Sequence, residues 1–227
     1  MKSQSKKVTK IGIVGARTDG QAGVVLDVLS YYSNIEVVAF FDKELCGSKI
    51  KGIPILSDIN EIGVSFHDRI DAIHVAIGDN KARYDIYKKI LHLKNLELMT
   101  IIHPSSIISP SSTIGKGCFV GASATIQHNT TIGDYTIINT GVIVEHDNII
   151  GEAVHIAPGS CTACRVKIND LAFLGLAVSV IADISIGSAA FIGSGKTNKK
   201  DVSDSMTMVE YAGTSHSDNV YFDLDER

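Results

Sequence analysis

The fold is decided by residues 132–156, "IGDYTIINTGVIVEHDNIIGEAVHI", in which an aliphatic residue returns every six positions. The same count runs without insertion from residue 102 to residue 192, and fifteen of its sixteen positions are aliphatic, with Thr162 as the exception. A period of six matches neither the helical period of about 3.6 nor the strand period of about 2. The segment is therefore neither one long helix nor an ordinary strand.

Each six-residue unit, numbered from its aliphatic residue, has the composition of a short strand followed by a turn. The fifth position is mostly small or β-branched, as in Cys118, Ala124 and Val142, and the second is often Gly or Asn. Positions five and one are two apart, so both side chains point to the same side of a strand, which we expect to be the interior. We expect the Gly or Asn at position two to open the turn with a left-handed backbone. This repeat predicts a parallel β-helix, whereas a β-sandwich needs loops of varying length.

Residues 10–103 have a different pattern, in which strands alternate with helices. The strand-like segments are "VTKIGIVGA", "IEVVAFFD", "DAIHVAIGDN" and "LELMTII", and the helical ones are "GQAGVVLDVLSYY" and "KARYDIYKKILHL". In the second helix the apolar stripe consists of Ala82, Ile86, Ile90 and Leu93. The alternation predicts an α/β domain with a Rossmann-like parallel sheet.

Four segments of the chain are predicted in order. They are a flexible basic tail at 1–9, an α/β domain at 10–103, an all-β parallel β-helix at 104–200, and a C-terminal strand with an acidic tail at 201–227.

The bulk composition argues against a nucleic-acid or membrane protein. The 227 residues carry a formal net charge of −4, with 44% hydrophobic and 20% charged residues. A nucleic-acid binder needs a concentrated basic face, and no apolar run approaches the ~20 residues of a membrane span. The basic start "MKSQSKKVTK" lacks the apolar segment of a signal peptide. With four cysteines and no signal, we expect free thiols, a cytoplasmic location, and neither nucleic acid nor membrane as a partner.

Several segments resemble one enzyme family. "NTGVIVEHDNIIGEAVHIAPG", "FFDKE", "AIGDNKARYDIYKKI" and "IHPSSIISPS" are similar to the sialic-acid O-acetyltransferases and bacillosamine-pathway UDP-4-amino-sugar N-acetyltransferases, which are hexapeptide-repeat acyltransferases. The similarity covers the chain from about residue 10 to residue 200. It implies a left-handed β-helix with three hexads in each triangular coil, so that sixteen hexads make about five coils. It also implies a homotrimer with acetyl-CoA in the groove between neighbouring β-helices.

With three hexads in a coil, residue n stacks on residue n+18. His128 then lies below His146, which falls in a corner turn and faces outward, while His155 faces outward from the middle of the next side. We expect both His146 and His155 to lie on the surface of the prism. A neighbouring column, with one residue in each coil, consists of Asn129, Asp147, Arg165 and Asp183.

The resemblance assigns roles to this corner. In the family the histidine that matches His146 is the general base, the acid that matches Asp147 increases its basicity, and the histidine that matches His155 contacts acetyl-CoA. A carboxylate beside an imidazole favours a general base that works near pH 7. Further candidates for contacts with acetyl-CoA are Gly175, Leu176, Gly193 and Ser194.

The glycine turn after the first strand, "GIVGARTDGQAG", is the candidate nucleotide site. It lacks the G-x-G-x-x-G fingerprint, although a glycine turn before a helix suits an anion or the edge of a nucleotide. In the family these strand ends bind the nucleotide-sugar, and the substrate-binding candidates are Gly15, Arg17, Thr18, Asp42, Lys43 and Gly78. The family commonly has a turn of small residues and histidine where this chain has Arg17, Thr18 and Asp19, which leaves the identity of the nucleotide open.

Other motifs carry weaker signals. "CTAC" lacks the helix start or second ligand pair that a redox or metal site needs, and no histidine pair has the spacing of a γ-class carbonic anhydrase, so no metal is expected. The lysines of "GSGKTNKKD" are either a solvated turn or contacts to the phosphates of CoA. The family usually continues into a glycine-proline strand beside the CoA adenine, where this chain has "VEYAGTSHSDNVYFDLDER".

The resulting hypothesis is a sugar acetyltransferase. It moves acetyl from acetyl-CoA directly to the amino group of a nucleotide-linked amino sugar, a UDP-4-amino-4,6-dideoxy sugar, for surface glycan biosynthesis. The alternatives are O-acetylation of a sialic-acid-like sugar and a non-catalytic scaffold that binds a nucleotide-sugar. A scaffold has no use for the "EHD" sequence at 145–147 or for His155.

Overall fold

The computed structural model describes residues 8–57, 70–93, 96–209 and 220–223, the last four by their backbone alone. The chain divides into two compact units, Met1–Ile101 and Ile102–Arg227. Residues 1–7 of the predicted basic tail and residues 224–227 of the predicted acidic tail lie outside the described residues. Within the described ranges, neither helix is long and apolar enough to cross a membrane.

The first unit is built on a six-stranded sheet in the order β3-β4-β2-β1-β5-β6. Its elements are β1 (Thr9–Val14), α1 (Gln21–Leu29), β2 (Ile35–Phe41), β3 (Lys49–Ile50), β4 (Ile53–Leu56), β5 (Ala72–Val75), α2 (Asn80–Ile90) and β6 (Glu97–Leu98). All pairs are parallel except the short hairpin of β3 and β4, which the sequence analysis did not predict. The Rossmann-like parallel sheet is confirmed, with the carboxyl ends of β1, β2 and β5 side by side.

The buried face of α2 differs from the predicted apolar stripe. The helix buries Asn80, Arg83, Tyr87 and Ile90, so only Ile90 belongs to the stripe that was predicted. The Tyr87 hydroxyl accepts a hydrogen bond from the Val75 N–H at 3.0 Å inside the unit. A count of apolar residues alone missed this face, because its polar side chains are buried with hydrogen-bond partners.

The second unit is the predicted left-handed parallel β-helix. Its seventeen described two-residue strands are β7 (Ile101–Ile102), β8 (Ile107–Ile108), β9 (Thr113–Ile114), β10 (Phe119–Val120), β11 (Thr125–Ile126), β12 (Thr131–Ile132), β13 (Ile137–Ile138), β14 (Ile143–Val144), β15 (Ile149–Ile150), β16 (His155–Ile156), β17 (Cys161–Thr162), β18 (Lys167–Ile168), β19 (Phe173–Leu174), β20 (Ser179–Val180), β21 (Ser185–Ile186), β22 (Phe191–Ile192) and β23 (Thr197–Asn198). Every third strand joins the same sheet, which gives three parallel sheets. Ile126 pairs with Val144 and Ile137 with His155, so the coil advances by the expected eighteen residues.

The interior of the β-helix follows the predicted inward positions. One cluster of buried side chains runs from Cys118 to Met208, with Ile102, Ile108 and Ile114 packed against it at lower burial. Thr162, the exception among the aliphatic positions, is also fully buried. The chain continues into β24 (Met206–Val209), which pairs with β22, and β25 (Val220–Asp223), which pairs antiparallel with β24.

The predicted reason for glycine at position two is wrong. The left-handed backbone occurs at position four instead, as at Asn129, Asp147 and Arg165, with φ between 54° and 59°. Position two favours glycine because the next coil is very close. A Cβ on Gly121 would lie 2.7 Å from the backbone nitrogen of Thr140, a separation that real Cβ atoms do not adopt.

Candidate active site

His146 and Asp147 form a hydrogen-bonded pair at an outer corner of the β-helix. The turn between β14 and β15 places them there, and the two side chains are 45% and 37% exposed. His146 Nδ1 lies 2.7 Å from Asp147 Oδ2. Because a carboxylate only accepts, this contact assigns the proton to Nδ1 and leaves Nε2 as the basic nitrogen. The corner therefore carries an imidazole in the tautomer that a general base needs.

Asp147 is fixed from the coil below. Asn129 Nδ2 donates to Asp147 Oδ1 at 2.7 Å, so each carboxylate oxygen has its own partner. The hydrogen bonds from Asn129 and His146, in that order of size, hold the pKa of Asp147 below its usual value. Asp147 N–H also donates to the carbonyl of His128, as the n+18 stacking requires.

Arg165 stacks above Asp147 as predicted but is paired with the next acid in the column. Its Nε and Nη2 donate to the two carboxylate oxygens of Asp183 at 2.7 and 2.9 Å. This pair lowers the pKa of Asp183 and raises that of Arg165. Arg165 and Asp183 thus bridge successive coils, while Asp147 serves His146.

Two exceptions to the repeat, Asn148 and Thr162, lie together inside the β-helix next to the His146 corner. Asn148 is fully buried, and its Nδ2 donates to the carbonyl of Glu145 at 2.6 Å and to that of Ala163 at 3.0 Å. The Asn148 Nδ2 also lies 3.3 Å from the hydroxyl of Thr162, and its Oδ1 accepts from the Val166 N–H at 2.7 Å. Asn148 occupies the fifth position of its six-residue unit, so its burial agrees with the inward direction predicted for that position, and its amide holds the backbone just before His146.

His155 points outward but is not on the surface, so the predicted exposure is wrong. It is 9% exposed, because the ring of Phe173 in the next coil packs edge-on against it at 5.1 Å. The Nδ2 of Asn139 lies 3.2 Å from His155 Nε2. Asn139 Oδ1 accepts from the Thr140 N–H, so the amide NH₂ faces the ring and Nε2 is the acceptor. The six-residue count does not show which outward side chains of adjacent coils cover one another, as Phe173 covers His155.

The four further candidates for acetyl-CoA contacts lie on one corner of the β-helix, in the two coils above His155. The Ser194 hydroxyl accepts from the Leu176 N–H at 3.1 Å, and a Cβ on Gly175 would lie 2.7 Å from the Ser194 nitrogen. Gly193 follows β22 in the same way that Gly175 follows β19. Leu176 is 53% exposed, so this corner offers an apolar surface to a ligand or to a second protein.

In the first unit, two adjoining clefts open at the carboxyl ends of β1, β2 and β5. The first cleft, of about 500 Å³, is lined by Val14, Gly15, Phe41, Asp42, Lys43, Glu44, Ser57, Ile77, Ile86 and Lys89. The second cleft, of about 470 Å³, is lined by Gly15, Arg17, Asp19, Gly20, Gln21, Asp42, Glu44, Ala76, Ile77 and Gly78. Five of the six predicted substrate-binding residues line one or both clefts, and the sixth, Thr18, is exposed in the same turn.

Asp42 and Arg17 are already engaged by neighbours in these clefts. Asp42 Oδ2 accepts from the Ala16 N–H at 3.0 Å, and its Oδ1 accepts from the backbone of Glu44 and Leu45. Asp42 therefore ties the ends of β1 and β2 together. The guanidinium of Arg17 pairs with Asp19 at 3.3 Å, which raises the pKa of Arg17 and lowers that of Asp19.

Sequence reasoning missed the helical wall of the first cleft. Ile86 and Lys89 of α2 line it together with Ile77 and the Ser57 that follows β4. The orientation of α2 at the strand ends is set by the face that it buries. That face contains polar residues, so the predicted apolar stripe did not reveal it. Glu44, two residues after Asp42, was within reach of the sequence argument about strand ends.

In the part of the chain that is described, the cysteines form no disulfide and the possible metal ligands do not cluster. No cluster there holds three or more His, Cys, Asp or Glu side chains in a metal-binding arrangement. Cys46, Cys118, Cys161 and Cys164 form no disulfide. Burial raises the pKa of Cys161, which makes that thiol less reactive.

Comparison with known proteins connects both units to acetyltransferases. Residues 10–90 match the PglD N-terminal domain, and residues 111–146 match the bacterial transferase hexapeptide (six repeats). The chain is 29% identical over 167 residues to GDP-perosamine N-acetyltransferase of Escherichia coli O157:H7, which covers 72% of this chain and 74% of that protein.

Two solved structures match most of the length of this chain. Perosamine N-acetyltransferase from Caulobacter crescentus, with one histidine replaced by asparagine and in complex with CoA and GDP-perosamine, is 31% identical. It superimposes with a TM-score of 0.83 over 91% of this chain and 96% of that one. The acetyltransferase domain of PglB from Neisseria gonorrhoeae FA1090, in complex with acetyl coenzyme A, is 28% identical, with a TM-score of 0.81 over 89% and 97% of the two chains.

Proposed function

The chain belongs to the hexapeptide-repeat sugar acetyltransferases of the PglD and GDP-perosamine N-acetyltransferase type, and we propose that it transfers acetyl from acetyl-CoA to the amino group of a nucleotide-linked amino sugar. The observation that carries the proposal is the His146–Asp147 pair at an exposed corner, at 2.7 Å, in a chain whose other unit has clefts at its strand ends.

His146 is the general base of the proposed reaction. Its Nε2 takes a proton from the sugar amine while the amine nitrogen attacks the thioester carbonyl. The new C–N bond replaces the C–S bond, and CoA leaves as the thiol after it receives the proton. Asp147 keeps Nδ1 protonated and stabilises the imidazolium that forms, and Asn129 keeps Asp147 in place.

The acetyl-CoA site is proposed at the corner that follows His155. His155, in the Nδ1–H tautomer fixed by Asn139, contacts the acetyl-CoA. Gly175 and Gly193, whose missing Cβ lets the next coil pack closely, contribute backbone contacts. Leu176 and Ser194 complete the contacts. Backbone N–H groups there stabilise the oxyanion of the tetrahedral intermediate. No covalent acyl-enzyme is required.

The nucleotide-sugar is proposed to bind in the paired clefts of the first unit. Arg17 reaches a phosphate, and Gly15, Thr18, Asp42, Lys43 and Gly78 form the surrounding contacts. The sequence analysis predicted a UDP-4-amino-4,6-dideoxy sugar, and the GDP-perosamine present in the Caulobacter structure makes GDP the competing nucleotide. Either UDP or GDP can carry a 4-amino sugar as the acceptor, so the preferred nucleotide has to be measured in the assay described below.

The assembly is proposed to be a homotrimer located in the cytoplasm. Ile143 and Ile149 stand on either side of the His146 corner and are 40% and 55% exposed. Ile107, on the same outer face as Ile143, is 67% exposed. Such an apolar rim suits contact with a neighbouring β-helix. Light scattering on the purified protein tests the trimer.

A panel assay tests the activity itself. Release of CoA is followed with acetyl-CoA and UDP- or GDP-linked 4-amino sugars, with sialic acid as the O-acetylation control, and mass spectrometry locates the acetyl group. We expect N-acetylation of one nucleotide-linked amino sugar. The absence of transfer to every amino sugar in the panel, with protein that binds acetyl-CoA, would contradict the proposal.

A further inference from the structure

Arg83 is a buried arginine in the first turn of α2. It is 1% exposed, and it is the largest of the fully buried side chains in the described residues. Arginine is almost never fully buried unless it is well hydrogen-bonded, because its charge loses hydration. Its contacts therefore indicate what the residue contributes.

The guanidinium of Arg83 binds the turn that joins β5 to α2. Nη1 donates to the carbonyls of Ile77 and Gly78 at 3.0 Å each and lies 3.3 Å from that of Asp79. Nη2 donates to Asn80 Oδ1 at 2.9 Å. One side chain thus fixes the orientation of three successive carbonyl groups.

These contacts also orient the other side of the turn. In a trans peptide, the N–H of the next residue points opposite to the carbonyl, and none of the described peptide bonds is cis. The N–H groups of Gly78, Asp79 and Asn80 therefore point away from Arg83. Ile77 and Gly78 line the second cleft, and Ile77 also lines the first.

Gly78 makes the turn dependent on this support. A Cβ on Gly78 would have no heavy atom within 4 Å, and its φ is not in the left-handed region, so neither space nor backbone strain requires glycine there. Glycine has the largest conformational freedom to lose on ordering. The order of the turn has to come from elsewhere, and Arg83 supplies hydrogen bonds on both sides of Gly78.

We propose that Arg83 is the positioning residue that shapes the Ile77–Gly78 wall of the nucleotide-sugar site, although it does not itself touch the substrate. The inference rests on the proposed function, since it assigns the paired clefts to the nucleotide-sugar. Loss of Arg83 weakens binding of the nucleotide and leaves the acetyl-CoA site intact.

Packing alone does not account for an arginine here. An apolar side chain of similar length fills such a space without losing the hydration of a charge. The neighbouring His74 is no partner for the charge. Burial lowers the pKa of His74 to about 4, and its Nδ1 faces the carbonyl of Met99, so it is neutral at pH 7. The specific contribution of Arg83 is the geometry of the turn.

The test compares three variants of the full-length protein. Arg83→Met removes the donors and keeps the length, and Arg83→Lys keeps the cation but loses the planar fork. Tyr87→Phe is the matched control, because it removes a buried hydrogen bond one turn along the same helix face without touching the turn. Calorimetry with GDP and with UDP gives nucleotide affinities, steady-state kinetics gives KM for each substrate, and thermal unfolding reports stability.

We expect Arg83→Met to weaken binding of the preferred nucleotide at least about tenfold, and Arg83→Lys to show a smaller loss. The KM for acetyl-CoA should stay within about twofold in every variant, and Tyr87→Phe should keep wild-type nucleotide affinity even if it unfolds at a lower temperature. If Arg83→Met does not fold, Arg83→Lys decides the question by the same comparison.

Two results would overturn the inference. One is wild-type nucleotide affinity in the folded Arg83 variants. The other is an equal loss of affinity in Tyr87→Phe, which would mean that general loosening of the unit is responsible. Failure of the proposed function has a different signature, in which the wild-type protein binds neither GDP nor UDP and acetylates no amino sugar.

Discussion

Replacing Asn148 with valine would restore the six-residue pattern, yet we expect it to destabilise the protein and slow the reaction. Among the described residues, Asn148 is the only hydrogen-bond partner of the Val166 N–H and of the Ala163 carbonyl, and the variant removes both bonds. The carbonyl of Glu145 keeps its second donor, the Thr130 hydroxyl at 2.9 Å.

The expected loss follows from these two groups. A buried polar group without a partner costs about 1–3 kcal/mol. Part of this cost is recovered, because the Val166 N–H can donate to the Ala163 carbonyl instead. The equivalent bond exists in the next six-residue unit, where the Ala172 N–H donates to the Asn169 carbonyl at 3.4 Å. We therefore expect the free energy of unfolding to fall by about 2 kcal/mol, with kcat about tenfold lower because the backbone before His146 is held less firmly.

Urea unfolding and steady-state kinetics measure both effects, and Thr162→Val is the control. That variant also restores the pattern but loses only the 3.3 Å contact with Asn148, so it should change stability by about 0.5 kcal/mol or less and leave kcat unchanged. The reasoning is refuted if Asn148→Val is as stable and as active as the wild type, or if Thr162→Val is equally damaging.

Three further outcomes are expected. His146→Ala should lower kcat by about 10²–10⁴-fold without changing the oligomeric state or the thermal stability. A variant that keeps more than about a tenth of wild-type kcat would remove His146 from the role of general base. Arg17→Ala should raise the KM for the nucleotide-sugar about tenfold and leave the KM for acetyl-CoA unchanged. Steady-state kinetics with each substrate varied in turn measures both values, and an unchanged KM for the nucleotide-sugar would contradict the prediction. Burial lowers the pKa of His74 to about 4, below the unfolded value near 6.5, so the unfolded chain binds more protons between these values. Stability is complete above about pH 6.5 and should fall by about 2 kcal/mol between pH 7 and pH 5 in urea titrations, and His74→Leu should lose this dependence.

The β-helix could be predicted from the sequence because an aliphatic residue recurs every six positions, with Thr162 as the single exception. Each aliphatic residue at position one has to be buried, and a shift of the register by one residue would expose all of them. The register from Ile102 to Ile192 could therefore be counted directly in the sequence. The placement of His146 and Asp147 in a corner, and the stacking of Asn129 beneath them, followed from the same count.

What the count could not supply was contact between side chains. Phe173 packs against His155, and Arg165 pairs with Asp183 rather than with Asp147. Both contacts depend on side-chain directions, which the register does not specify. In the first unit, Arg83 was invisible to an apolar pattern because it is buried by means of hydrogen bonds rather than hydrophobicity. The glycines at position two were noticed, but their cause lies in the closeness of the adjacent coil, as at Gly121.

The stacking of coils also determines how the molecule opens. In a solenoid each coil contacts only the coils above and below it, so stability is close to a sum of nearest-neighbour terms, and breathing starts at the ends. Ile102, Ile108 and Ile114 of the first coil are only partly buried, so we expect this coil to open more readily than the coils in the middle of the stack. The His146 corner is sandwiched, because Asp147 donates to the coil below and His146 accepts from the coil above. Amide exchange along the β-helix should therefore be slowest around the His146 turn, so that the imidazole keeps its position while the ends of the stack open and close.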